Sequence, residues 1–97
     1  MDKLSDELNR FLVNLGKAPE RIDKKTTHHM EHIISLLTTE NETVLKEYYG
    51  LFGVKRYTTE EIARIHGLSP EDVENIIKNG VRKLAVTPEW QMVKQTI

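Results

Sequence analysis

The stretch YTTEEIARIHGLSPEDVENIIKNGVRKL, residues 57 to 84, constrains the fold more than any other part of the chain. Thr58 and Glu61 have the spacing of a capping box, with Tyr57 and Ile62 placed as a hydrophobic staple around it. Ile62, Ala63 and Ile65 carry that helix on to Gly67, where positive φ costs little. Ser69 then caps a second helix, Pro70 takes its first position, and Leu68 can staple onto Val73. Two helices joined by so short a glycine turn form a helix-turn-helix. The side chains agree with that geometry. Ala63 is small where the second helix crosses over the first, and Val73 and Ile76 fill the wedge beside Ile62 and Leu68. Val73, Ile76, Ile77, Gly80 and Leu84 continue one face, so Gly80 is expected to be a close contact rather than a helix end.

The flanking sequence also reads as helix. Leu4, Leu8, Phe11, Leu12 and Leu15 share a face over residues 3 to 15, and Gly16 is expected to close that helix. GKAPERIDKK reads as a loop. Met30, Ile33, Ile34 and Leu37 define a second helix over about residues 26 to 37. Thr39 with Glu42 predicts a capping box for a third, which should bury Val44, Leu45 and Tyr48 and stop near Gly50. GLFGVKR is a turn, and Thr87-Pro88-Glu89 starts a last short helix carrying Trp90 and Val93. The expectation is an all-α chain of five or six helices. Residues 1–37 form an N-terminal extension of two helices, and residues 38–97 a helix-turn-helix domain with a short C-terminal helix.

Composition excludes several classes. The 14 Lys and Arg stand against 15 Asp and Glu in 97 residues, so nucleic acid would need a local basic face. There is no cysteine for a disulfide or thiolate site, and no apolar run of membrane-span length. His28 and His32 in HHMEH are four apart on a helix face, but no carboxylate stands at the spacing a two-histidine zinc site uses. No phosphate loop or activated nucleophile is present. The reading is non-enzymatic, with no metal and no cofactor.

From Ile33 to about Leu84 the chain resembles region 4 of the bacterial sigma-70 family. Tyr49-Gly50-Leu51 matches the family's YGL, Glu60-Glu61-Ile62 its EEI, Gly67-Leu68-Ser69 its turn, and Arg82-Lys83-Leu84 its closing RKL. The resemblance implies a transcription-related domain that binds the promoter −35 element and the RNA polymerase flap. It lacks the family's promoter-melting region, so it is expected to be a fragment of a longer factor or a small regulator. A monomeric, cytoplasmic, nucleoid-associated protein of bacterial or phage origin is implied.

The resemblance carries DNA contact onto Lys55, Arg56, Arg64, Ser69, Glu71, Asp72, Asn75, Lys78, Arg82 and Lys83, with His66 beside them. One departure stands out. Where the family has phosphate-holding and guanine-reading arginines, this chain has Pro70, Asp72 and Glu74, with Asn75 in place of Gln. A carboxylate is repelled by phosphate and can accept only from cytosine N4, so the specific grip should be weaker. Asp and Glu also favour a helix N-terminus through its dipole. The alternative is a protein-interaction module that binds RNA polymerase or a sigma-associated regulator instead of DNA. Its surface is expected at Leu45, Tyr48, Tyr49, Leu51 and Phe52, which are more apolar groups than one short helix and its turn need.

Overall fold

Each of the six α-helices begins at a side chain that accepts a hydrogen bond from the third residue along. The caps are Asp2, Asp23, Thr38, Thr58, Ser69 and Thr87. Such a cap satisfies one of the orphan N–H groups of the first turn and stabilises by about 1 kcal/mol. The computed structural model describes residues 1–97 as α1 (Lys3–Lys17), α2 (Lys24–Ile34), α3 (Thr39–Tyr49), α4 (Thr59–His66), α5 (Pro70–Ala85) and α6 (Pro88–Lys94). One 3-10 turn, Pro19–Arg21, interrupts the expected loop between α1 and α2. There is no strand.

One core of 21 buried apolar side chains draws on all six helices. α5 is its axis, with α1, α3 and α4 packed around it, while α2 lies against α6. The boundary expected at residue 37 therefore runs through a continuous core. Phe11 of α1 meets Trp90 of α6 at 5.4 Å between ring centroids, and Lys94 reaches Glu7 at 3.1 Å. Both contacts join the first helix to the last.

Four local expectations are corrected. Gly16 does not end α1, which continues to Lys17; its Cα lies so close to α3 that an added Cβ would fall 1.9 Å from the Tyr49 carbonyl oxygen. α2 ends at Ile34 rather than Leu37, although Leu37 is still buried. The cap of α3 is Thr38, whose hydroxyl accepts from Asn41 N. With the cap one residue earlier, Glu42 is out of register for a box and pairs instead with Lys46 at 3.0 Å. The buried tyrosine of α3 is Tyr49, not Tyr48, because α1 supplies Asn9 to accept the Tyr49 hydroxyl. Burial, and then the neighbouring Tyr48, push that phenol far above its ordinary pKa.

Candidate nucleic-acid interface

The helix-turn-helix is closed locally at every joint. Thr58 Oγ1 accepts from Glu61 N at 3.1 Å, and Glu61 Oε1 accepts from Thr58 N at 3.0 Å. Donation from the Thr58 backbone N–H, and next from its hydroxyl, holds the Glu61 carboxyl below the usual carboxylate range, assisted by the charges of Lys55 and Arg64. Gly67 is left-handed, with φ 68°, and Leu68 N bonds back to Ala63 O at 2.8 Å. Ser69 and Asp72 make a second capping box, at 3.0 Å and 3.4 Å. Ile62, Ala63 and Val73 are buried at the crossing of α4 and α5.

The orientation of this unit depends on α3. Glu47 holds both ends of α4: its carbonyl accepts from Tyr57 N at 2.8 Å, and its Oε1 lies 2.7 Å from His66 Nε2. The contact is a hydrogen bond when Nε2 carries the proton and an ion pair when the ring is charged. His66 was expected among the basic groups on the outer face; it is turned inward instead. Nothing in the local sequence marks Glu47 as its partner, since the two are 19 residues apart.

α5 presents two exposed stripes. Glu71, Asn75, Lys78 and Arg82 follow one another at i, i+4, i+7 and i+11, with Glu74 beside them. Asp72, Asn79 and Lys83 form a second stripe, rotated by roughly 100°. The expected contact residues are thus divided, and Lys83 does not share a face with Lys78 and Arg82. The acids divide as well. Asp72 is committed to its cap, and Glu71 stands in the first turn, where the helix dipole favours it. Glu74 lies beyond that turn and forms no salt bridge. Ser69 is likewise occupied as the cap. On the approach to α4, Lys55 lies over the Tyr57 ring at 5.4 Å and Arg56 is exposed. Arg64 is exposed on α4 itself.

The five residues expected to form a partner surface are not all on the surface. Leu45, Tyr49 and Leu51 are core, with exposures of 0%, 4% and 0%. Only Tyr48 and Phe52 remain partly exposed. Tyr48 stacks edge-on against Tyr49, with centroids 4.9 Å apart, and Lys46 lies 6.0 Å from the Phe52 ring. Three side chains that look surplus around a short helix are used up because α1 and α5 both pack on α3. His28 and His32 are exposed on α2, and no helix is long and apolar enough to cross a membrane.

Residues 33–85 match the family model for sigma-70, region 4. No curated protein and no solved structure compared with the chain matches it. The matched segment takes in the end of α2, all of α3 and the α4–α5 unit, and covers more than half of the chain. By that match and by the geometry of its capped, glycine-turned helix pair, the chain belongs to the sigma-70 region 4 family, whose helix-turn-helix is a transcription-related DNA-binding unit.

Proposed function

We propose that α4 and α5 hold promoter DNA at a −35-type element with a weakened, mainly electrostatic grip. The observation that carries this is the exposed stripe of α5. Glu71 and Glu74 occupy its first two turns, while Lys78 and Arg82 lie further along. The acids would face phosphate and repel it; the cations beyond them, with Lys55, Arg56, Arg64 and Lys83, would bind the backbone without reading sequence. Asn75 is the group best suited to a base edge, since its amide can pair with adenine N6 and N7.

A second surface fits RNA polymerase. Tyr48 is partly exposed and borders two surface grooves, one of them lined also by Arg56, Tyr57, Thr58 and Glu61. An aromatic group held edge-on by a buried tyrosine is a fixed anchor for an apolar helix. The flap tip of polymerase, or a regulator that imitates it, has that chemistry. Residues 1–37 then act as an extension ahead of region 4, joined to it through the shared core.

One isotope-labelled sample tests both readings by backbone amide shifts. Titration with a −35 duplex should move amides of α4 and α5 and lose its effect as salt rises. Titration with a flap-tip peptide should move residues 48 to 57. Shifts that ignore α4 and α5 in the first arm remove the DNA reading, and silence around Tyr48 in the second removes the polymerase reading.

A further inference from the structure

The first turn of α1 lies outside the segment that matches the family, yet it stands over the exposed face of α5. Met1, Asp2 and Ser5 line a cleft with Asn75, Lys78 and Arg82. The Asp2 carboxylate accepts from Ser5 N at 2.8 Å and lies 4.0 Å from the Arg82 guanidinium. Both ends of this contact are open to water, with side-chain exposures of 55% for Asp2 and 75% for Arg82. Ser5 is 2% exposed.

We propose that this cleft receives a backbone phosphate of the bound duplex, and that Asp2 competes with that phosphate for Arg82. The inference rests on the reading of α5 as the DNA-facing helix. Lys78 and Arg82 bring two cations to the cleft. Against them stand Asp2 on α1 and Glu74, which borders a neighbouring groove with Lys78. A phosphate diester matches the two cations. Arg82 can take one anionic partner well, so a phosphate entering the cleft must displace Asp2 or share the guanidinium with it. An exposed ion pair of this length is weak enough to be exchanged in that way. The N-terminal helix thereby becomes part of the DNA-facing surface, and its cap sets how much of Arg82 the backbone can use.

Asp2→Asn separates the charge from the cap, because asparagine caps a helix about as well as aspartate. The full chain is titrated against a fluorescently labelled duplex of mixed sequence over a salt series, with thermal melting to verify that each variant folds. Asp2→Asn should tighten binding roughly two- to five-fold at low salt. Arg82→Gln should weaken binding and lower the salt slope by about 1. In the Arg82→Gln background the gain from Asp2→Asn should vanish. Wild-type affinity for Asp2→Asn, or a gain that survives Arg82→Gln, overturns the competition. Arg64→Glu tells the two levels apart. If it weakens binding while Asp2→Asn does nothing, the cleft fails and the helix-turn-helix reading stands; if neither changes binding, both fail.

Discussion

Two helix crossings in this domain are closed by small residues, and they are built on different principles. At the crossing of α4 and α5, Ala63 and Val73 are both buried, and every joint is made by residues within a few positions of one another: two capping boxes, a left-handed Gly67, and a bond from Leu68 N to Ala63 O. At the crossing of α1 and α3, Gly16 meets the carbonyl of Tyr49, and the partners are separated by two further elements. The first crossing is side chain on side chain, the second side chain position on backbone. Side chains can change rotamer to absorb an error, whereas a carbonyl inside a hydrogen-bonded helix end cannot move without taking its helix along.

That difference sets the order of expected damage. Gly16→Ala should be the most costly, about 3 kcal/mol or more, because its Cβ would fall 1.9 Å from the Tyr49 oxygen. Urea unfolding measures it directly. A loss below about 1 kcal/mol would mean that the α1–α3 seam is looser than described and that the N-terminal helix is not integral to the core. Ala63→Leu should come next, at roughly 1–3 kcal/mol, because overpacking at the α4–α5 crossing can be relieved in part by Val73 and the turn. An unchanged melting midpoint for that variant would deny the close crossing. Gly80→Ala should matter least. Its Cβ would stand 3.1 Å from Leu45 Cδ1, a side-chain tip that needs to yield only slightly. The small overlap is offset by the helix propensity gained, about 0.5–1 kcal/mol. A net change under about 1 kcal/mol in either direction is expected from the same denaturation series. A loss as large as that of Gly16→Ala would put the two glycines in one class and erase the distinction.

The partner surface shows the same division between near and distant causes. Leu45, Tyr48, Tyr49, Leu51 and Phe52 look alike along the chain, being apolar groups around one short helix. Tyr49 is withdrawn from the surface by Asn9 of α1, and Leu45, one turn earlier on α3, by contact with the Gly80 position of α5. Tyr48 is left at the rim because neither α1 nor α5 covers it fully. Adjacent side chains on a helix diverge by about 100°, so the two tyrosines meet different neighbours. Which one is buried depends on where α1 arrives.

What the sequence by itself determined is the capped, glycine-turned pair at residues 57 to 84. Caps, staples and a positive-φ glycine act over three to five residues, and such interactions form wherever the chain carries them. Gly80 was legible for a related reason, since the apolar face of α5 continues through it without a break. The cap of α3 was not, because Thr38 and Thr39 are chemically alike and only the placement of the helix chooses between them. The tertiary structure alone decided that Gly16 is a contact and not a stop, that His66 turns inward to Glu47, and that Asp2 stands beside Arg82. These pairs are joined by burial and charge across the fold, between residues 19 to 80 positions apart, and no local pattern encodes a partner at that distance.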